Sequence, residues 1–350
     1  KVDLKLVVSG THISKRFGNT IDEIINDGID IAHVLEFSLE DQTASGLCAS
    51  TGRILRDFGE LFELEKPDLM MVLGDRFEIM APVTCAVIQR VPIAHIHGGE
   101  TTLGAIDNKI RDAITQMSDI HFAATSKAAE RIRKLKPNSD QVHHVGSLSV
   151  DRLSHLELMN RVELAKRYGW SLDGKAAIIT YHPETMSLNS PLDQVEELIK
   201  VLDEYPELFM VITLSNADVG GAEISRRLNE FALERENVAL HASLGQLAYL
   251  SCLANFDLVI GNSSSAIIEA PIFGLPTVNI GGRQTGREMA PSVITVDYKY
   301  EAIKVGVDDA LLRPKILKKN ICDLPYGKLG ATSSILSFLE QFSCEQVRSV

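Results

Sequence analysis

The chain has 350 residues, of which 45% are hydrophobic and 23% are charged. That length exceeds what one hydrophobic core normally supports, so we expect two domains, and the composition excludes a largely disordered protein. The formal net charge of −12 argues against a nucleic-acid partner, because an acidic chain repels the phosphate backbone.

The first half of the chain alternates short apolar runs with amphipathic segments. Continuous apolar runs are typical of strands buried on both faces, and here they predict strands over Leu4–Gly10, Leu69–Leu73, Ile93–Ile96 and Ile120–Ala123. Two helices are predicted. The one over Asp107–Met117 has an apolar face and a polar face, and the one over Gly46–Leu64 carries a stripe of Leu47, Ile54, Leu55, Phe58, Leu61 and Phe62. This alternation predicts a parallel sheet.

Carboxylates follow the predicted strands of this first half. Asp75 follows one strand in the run GDRFE, Glu100 closes the run HIHGGE, and Asp107 begins a helix. Carboxyl ends of parallel strands face a crevice, so the three carboxylates converge there as candidates for general acid and base. Like charges at close range raise some of their pKa values. For Asp75 and Asp107 the alternative is an ordinary helix cap.

The run HIHGGE also contains two histidines. Strand alternation puts His95 and His97 on one face of the sheet, which raises zinc as an option beside Glu100. The spacing is not a standard zinc pattern, and no third strong ligand is evident. We therefore predict no metal site.

The second half repeats the alternation after a polar, largely helical connection over 151–174. Strands are predicted over Ala176–Thr180, Phe209–Thr213, Val238–His241, Leu258–Ile260 and Thr277–Ile280. The amphipathic tail 333–342 is predicted to pack back on the first half. The fold class is therefore α/β, with two doubly wound, Rossmann-like domains facing a cleft, over 1–155 and 156–332, and a returning helix over 333–350.

Polar loops follow the strands of the second half as well. His182 ends the first of them and would face the cleft as a phosphate ligand, and Asn216 lies in the polar loop after the next. Arg283 and Arg287 occur in a glycine-rich loop after the last strand, where they would neutralise phosphates or stand in solvent.

The run Gly261–Ser265 leads from a strand into a helix. Unpaired N–H groups at a helix start suit a phosphate or diphosphate, with Ser263 and Ser264 adding donors; the alternative is a serine that merely caps the helix. Glu269 follows on that helix and would accept the hydroxyls of a ribose, or would be an ordinary exposed residue. Pro271 should kink or shorten the helix.

The motifs together resemble the hydrolysing UDP-N-acetylglucosamine 2-epimerases, which begin sialic acid synthesis. The matching runs occur between about Leu4 and Glu288 in the family's order, and they are GDRFE, HIHGGE, IDNKIRDAITQMSDIHF, YHPET, LSNADVGG, GNSSSAIIEA and GGRQTGRE. The resemblance implies a glycosyltransferase-B-type fold, a homodimer or homotetramer, and no metal or cofactor. It implies conversion of UDP-GlcNAc and water to N-acetylmannosamine and UDP through a glucal intermediate.

Residue roles follow from the same resemblance. It implies Asp75, Glu100 and Asp107 as acid–base residues, His182, Ser263 and Ser264 at the diphosphate, Glu269 at the ribose, and Ser243 and Leu244 near the uracil. Two departures stand out. Some members have a glutamate where His97 stands here, so His97 becomes a catalytic candidate. The family also has an earlier strand and helix, and we expect this sequence to be an incomplete record of it.

Alternatives remain at the level of substrate and reaction. Relatives act on UDP- or GDP-linked N,N'-diacetylbacillosamine, and a glycosyltransferase or a sensor without turnover could share the fold. The five cysteines form no CxxC pair, no stretch reaches the roughly 18 apolar residues of a membrane span, and no secretory segment opens the chain. We therefore expect a cytoplasmic enzyme without a membrane partner.

Overall fold

Short parallel strands alternate with helices throughout the computed structural model, which describes residues 2–36, 41, 43–153, 155–317 and 320–342. The first half contains β1 (Leu6–Ser9), α1 (Ile21–Asn26), β2 (Ile31–Leu35), α2 (Ala44–Glu65), β3 (Met70–Leu73), α3 (Phe77–Gln89), β4 (Ile93–Ile96), α4 (Asp107–Met117), β5 (Ile120–Ala123), α5 (Ser126–Leu135), β6 (Val142–His144) and α6 (Leu148–Leu153).

The second half continues with α7 (Arg161–Tyr168), β7 (Ala176–Thr180), α8 (Pro191–Leu202), β8 (Phe209–Thr213), α9 (Gly221–Leu233), β9 (Val238–His241), α10 (Gly245–Asn255), β10 (Leu258–Gly261), α11 (Ser265–Ile268), β11 (Thr277–Ile280), β12 (Val293–Val296), α12 (Tyr300–Leu312) and α13 (Ala331–Gln341). Short 3₁₀ turns cover Gly10–Ile13, Lys15–Phe17, Ala270–Phe273 and Ile321–Asp323.

The strands of the first half form two separate parallel sheets. β3, β4, β5 and β6 pair in chain order, whereas β1 pairs only with β2. β2 and β6 were not predicted from the sequence. Side chains of β2 alternate between half-buried and exposed, and β6 is only three residues long, so neither strand shows the continuous apolar run of a doubly buried strand.

The second half forms one six-stranded parallel sheet with the order β12-β11-β10-β7-β8-β9. From β7, the strands β8 and β9 follow in order toward one edge of the sheet, whereas β10, β11 and β12 follow in order from the other side of β7 toward the opposite edge. The strand order therefore reverses between β7 and β10, which is the position where doubly wound sheets bind ligands. Every predicted strand of this half is present, and β12 is an additional edge strand.

Two helices show how well amphipathic patterns predicted packing. In α2, the predicted stripe is buried except at Leu55, which is 37% exposed, so the prediction for that residue was wrong. Helix α13 packs on the first half as predicted, with Ile335 buried among Phe122 and Val145. Residues 343–350 of the predicted returning helix lie outside the described residues. Among the helices that the structure does describe, none has both the length and the hydropathy to cross a bilayer.

Candidate active site

Loops at the carboxyl ends of the two main sheets meet across the cleft. The amide of Leu103, in the β4–α4 loop, donates to the carbonyl of Thr285 at 2.9 Å. The amide of Met186 donates to the carbonyl of Gly104 at 3.2 Å, and that of Ile106 donates to Thr185 Oγ1 at 2.9 Å. Residues that follow β4, β7 and β11 are therefore held together, and the predicted site residues gather around them.

Asp75 lies at the end of β3 and is paired with a buried arginine. Arg111 of α4 is 1% exposed, and it donates to the Asp75 carboxylate and, at 2.9 Å, to the carbonyl of Glu100. The alternative that Asp75 caps a helix was wrong, because α3 begins at Phe77 and Arg76 occupies the cap position. The pair fixes α4 against the ends of β3 and β4.

Glu100 is buried beside two basic groups. Its carboxylate lies 2.7 Å from Arg287 Nη1 and 3.3 Å from His97 Nδ1. Burial by itself would raise the Glu100 pKa, but Arg287 and His97 outweigh burial and lower the pKa. Glu100 is therefore a carboxylate at neutral pH. The raised pKa that was expected for some of the predicted carboxylates does not occur at Glu100.

His97 occupies a left-handed turn directly after β4. Its φ of 63° ends the strand geometry, so strand alternation does not apply to it. His95, inside β4, is fully buried and hydrogen-bonds the carbonyl of Gly74 at 2.8 Å through Nε2. The prediction that both histidines lie on one face of the sheet was therefore wrong: His95 contacts the end of β3, whereas His97 contacts Glu100. Within the part of the chain that the structure describes, no cluster of three or more histidine, cysteine or acidic residues is arranged to hold a metal ion.

Asp107 is a predicted catalytic carboxylate with a pKa near neutrality. Burial and the nearby charge of Asp218 raise the Asp107 pKa to about 6, against the opposing effect of Arg283 and Arg76. Arg283 Nη2 lies 3.5 Å from Asp107. The capping alternative was wrong here as well, since Ile106 precedes the helix and Asp107 makes no side-chain cap.

His182 lies at the reversal of strand order, where Asn262 holds its backbone. The Asn262 side chain accepts from the amide of His182 and donates to its carbonyl, both at 2.8 Å. The amide of Asn216 donates to His182 Nδ1 at 3.2 Å, which places the imidazole proton on Nε2. Burial and Arg283 lower the His182 pKa to about 3, so His182 is neutral and offers one N–H donor.

The serine run after β10 forms a tighter turn than a helix cap. Helix α11 has only four residues before it tightens at Ala270–Phe273, as Pro271 predicted, and Ser264 makes no side-chain cap. Ser263 and Ser265 hydroxyls lie 3.1 Å apart, and Tyr249 hydrogen-bonds Ser265. Ser263 and Ser264 are half-buried and stand beside this hydroxyl cluster.

Glu269 is not an exposed helix residue. Its Oε2 is buried and has no hydrogen-bond partner among the described residues, and burial raises the Glu269 pKa although Ser149 hydrogen-bonds the carboxyl. His97 and Arg287 lie within electrostatic range. A buried carboxylate with an unused oxygen suits a ligand that brings hydroxyl donors.

Ser243 and Leu244 line a cavity of about 510 Å³ between the two halves. The opposite wall comes from the first half and includes His12, Thr20 and Glu23, while Tyr249 connects the cavity to the serine turn. This volume lies within the usual range for small-molecule pockets, about 300–1,000 Å³. The cavity is therefore large enough for a small molecule, and Tyr249 links it to the serine turn after β10.

Four arginines lie around the predicted carboxylates, and two of them were not predicted from the sequence as site residues. Arg283 is 8% exposed, which excludes the solvated-loop alternative, and Arg287 pairs with Glu100. Arg76 and Arg111 were not singled out, although Arg76 directly follows Asp75 and Arg111 lies one helical turn after Asp107. A weakly acidic carboxyl, a permanent carboxylate and several guanidinium groups together suit proton transfer beside an anionic ligand.

Comparisons with known proteins show which family the chain resembles. The family model described as UDP-N-acetylglucosamine 2-epimerase matches residues 1–340. The chain is 34% identical to the UDP-N,N'-diacetylbacillosamine 2-epimerase (hydrolyzing) of Legionella pneumophila, over 91% of this chain and 84% of that protein. It is also 34% identical to the polysialic acid biosynthesis protein P7 of Escherichia coli, over 98% of this chain and 87% of that protein.

The fold is shared with solved structures. A crystal structure of UDP-GlcNAc 2-epimerase from Neisseria meningitidis bound to UDP-GlcNAc superposes with a TM-score of 0.77 at 17% identity, over 97% of this chain and 92% of that one. At that identity the likeness shows the fold, which is two Rossmann-like domains of the glycosyltransferase-B type.

Proposed function

The chain belongs to the UDP-N-acetylglucosamine 2-epimerase family, and from that premise we propose that it hydrolyses UDP-N-acetylglucosamine with inversion at C2. The products are N-acetylmannosamine and UDP. The reaction breaks the C2–H bond and the C1–O bond to UDP, which leaves a C1–C2 double bond. Water then adds its hydroxyl to C1 and a proton to the opposite face of C2.

The observation that carries the proposal is the environment of Asp107. A carboxyl with a pKa of about 6 lies 3.5 Å from Arg283, and the neutral His182 is close enough to Arg283 and Asp218 to sense both charges. A proton acceptor beside a group of phosphate-binding side chains is what an elimination with an anionic leaving group requires.

We assign roles to the other carboxylates on the same grounds. Asp107 exchanges the proton at C2, because its pKa lets it hold and release a proton near neutrality. Glu100 stays ionised beside Arg287 and His97, and it would stabilise positive charge or accept a proton on the opposite side of the sugar. Asp75 orients α4 through Arg111.

The nucleotide is proposed to span the cavity and the reversal of strand order. Ser243 and Leu244 would flank the uracil, and the buried Oε2 of Glu269 would accept from the ribose. Asn216, Ser263 and Ser264 would surround the diphosphate together with His182 and Arg283. We also propose that the enzyme is a homodimer or homotetramer and needs no cofactor.

A second substrate is favoured by one specific comparison. The 34% identical protein of Legionella pneumophila carries the name of an epimerase for UDP-linked N,N'-diacetylbacillosamine. That sugar differs from N-acetylglucosamine at C4 and C6, away from the reacting C1 and C2. The proposed chemistry is therefore the same for both, and only the walls around C4 and C6 would discriminate between them.

Incubation in deuterated water tests the proposal. UDP-GlcNAc and UDP-N,N'-diacetylbacillosamine are each supplied, and the products are followed by proton NMR and mass spectrometry. Release of UDP with a free C2 epimer that carries one deuterium at C2 is the expected result. A sugar transferred to an acceptor without deuterium would instead identify a glycosyltransferase, and retention of an intact substrate would identify a sensor.

A further inference from the structure

Asp218 lies in the β8–α9 loop and has no part in the proposed chemistry, yet it is 4% exposed and surrounded by cations. Arg76 Nη1 donates to it at 3.2 Å, and Arg283 Nη2 lies 3.6 Å from its other oxygen. The side-chain amide of Asn216 donates to that second oxygen at 2.6 Å. A buried carboxylate is thus held by groups that the strand-end loops supply.

The two arginines come from opposite sides of the cleft. Arg76 precedes α3 in the first half, and Arg283 follows β11 in the second half. Guanidinium groups bind carboxylates and phosphates with the same fork geometry. Asp218 therefore binds guanidinium groups that could otherwise bind a diphosphate. Arg283 Nε has no hydrogen-bond partner among the described residues.

We propose that Asp218 competes with the diphosphate for Arg76 and Arg283, the two arginines that it binds in the cleft. The inference rests on the proposed function, because Arg283 is assigned to the diphosphate there. The consequence is that Asp218 weakens the binding of diphosphate and thereby favours release of UDP. A merely structural carboxylate would have the opposite effect, since its removal would disorder the arginines and weaken anion binding.

Asp218 also contributes to the electrostatic surroundings of Asp107. Charged groups that act on Asp107 are Asp218 from the β8–α9 loop, Arg283 from the loop after β11, and Arg76 and Glu78 from the start of α3. Burial and Asp218 raise the Asp107 pKa, so removal of the Asp218 charge lowers the pKa. His182 has a pKa of about 3 and stays neutral across the relevant range.

The experiment measures binding of inorganic pyrophosphate and of UDP by calorimetry to the wild type, Asp218→Asn and Asp218→Ala. Asn keeps the shape of the side chain and Ala removes it, so a folding defect in one variant leaves the other to decide. Glu223→Gln is the matched control, because Glu223 is an exposed acidic residue in the first turn of the helix that follows the same loop. Thermal melts confirm that each variant is folded.

Both Asp218 variants are expected to bind pyrophosphate and UDP about fivefold more tightly than the wild type, with no change for Glu223→Gln. In the active enzyme, the acid limb of the kcat/KM profile should move to lower pH in Asp218→Asn. Unchanged or weaker pyrophosphate binding in the folded variants overturns the proposal. The proposed function would be refuted separately if the wild-type protein bound pyrophosphate but released no UDP from any sugar nucleotide. The competition between Asp218 and pyrophosphate could still be measured in that case.

Discussion

At the scale of single residues, the charge of the neighbours decides what each carboxylate can do. Glu100 and Asp107 are both almost fully buried, and burial acts on both in the same direction. Arg287 at 2.7 Å lowers the pKa of Glu100, whereas Asp218 helps to raise that of Asp107. Two acidic residues seven positions apart, Glu100 in the β4–α4 loop and Asp107 at the start of α4, are thus suited to different tasks.

Replacement of Asp107 by Asn should abolish release of UDP while UDP binding stays nearly intact. The amide cannot take the C2 proton, and loss of a general base typically costs about 10²–10⁴-fold in rate. Steady-state turnover and calorimetric binding of UDP check this. Asp193→Asn is the control, because Asp193 occupies the first turn of α8 in an exposed position. Wild-type turnover in Asp107→Asn would refute the assignment.

The raised pKa of Asp107 also predicts how stability depends on pH. The folded-state pKa of about 6 exceeds the ordinary value of 3.8, so the ionised form of Asp107 destabilises the fold. This destabilisation is complete above about pH 6 and absent below about pH 3.8. Asp107→Asn should therefore be more stable than the wild type at pH 7.5, by about 1–3 kcal/mol, and the difference should vanish at pH 4. Chemical denaturation at several pH values measures it.

Asp218 provides the contrasting case for this measurement. Burial by itself would raise the Asp218 pKa, but Arg76 and Arg283 outweigh burial and lower the pKa. Ionised Asp218 therefore stabilises the fold above its ordinary pKa, and that stability is lost as the pH falls. Asp218→Asn should be less stable than the wild type at pH 7.5. If Asp107→Asn and Asp218→Asn changed the free energy of unfolding in the same direction, the electrostatic explanation would be wrong.

At the scale of elements, the ends of β7 and β10 are joined where the strand order reverses. Asn262 is fully buried and bonds both backbone groups of His182. Gly261, just before it, has φ 137°, and a Cβ atom there would collide with the carbonyl of Thr180. The glycine is thus required for the close approach of two neighbouring strands.

Gly261→Ala should destabilise the second half and weaken UDP binding. The added methyl group meets backbone, which cannot rotate away, so we expect a cost of about 2–4 kcal/mol and the loss of His182 alignment. Gly52→Ala is the matched control, because Gly52 lies inside α2 with nothing within 4 Å of the added atom. That variant should gain about 0.5–1 kcal/mol. Urea unfolding and UDP calorimetry compare the two variants.

At the scale of the whole molecule, the chain crosses the cleft and returns. After α12 it leaves the second half, and α13 covers the sheet of the first half, where Phe338 meets Phe122 edge to face at 5.4 Å between ring centroids. Tyr326, on the way, is buried against Ile267 and Ile268 of α11. The boundaries at residues 155 and 332 stay a prediction, as do the residue roles and the homo-oligomeric state.

The returning helix should contribute to the stability of the first half. Ile335 is 6% exposed and Leu336 is 53% exposed, although the two are neighbours in α13. Ile335→Ala should cost about 2–4 kcal/mol in the free energy of unfolding, and Leu336→Ala should change it by less than about 0.5 kcal/mol. Urea denaturation measures both. Equal effects would mean that α13 does not pack on the sheet in solution.

The sequence by itself determined the fold class, five of the six strands of the second half, the returning helix and the strand ends at which the candidate site residues lie. It could do so because strands buried on both faces are continuous apolar runs, and because parallel strands bring their carboxyl ends to one edge. Only the tertiary structure decided that β1 and β2 form a separate sheet, that Arg283 lies between Asp107 and Asp218, and that Arg76 binds Asp218 across the cleft.

The reason lies in the range of the interactions. Periodicity and turn chemistry act between neighbours in sequence, whereas the pKa of a buried carboxyl depends on charges that the fold brings within a few ångströms. Arg76 and Asp218 are 142 positions apart, and no local pattern relates them. Which carboxyl has a raised pKa and which has a lowered pKa was therefore beyond sequence reasoning, even where the residues themselves were predicted as site residues.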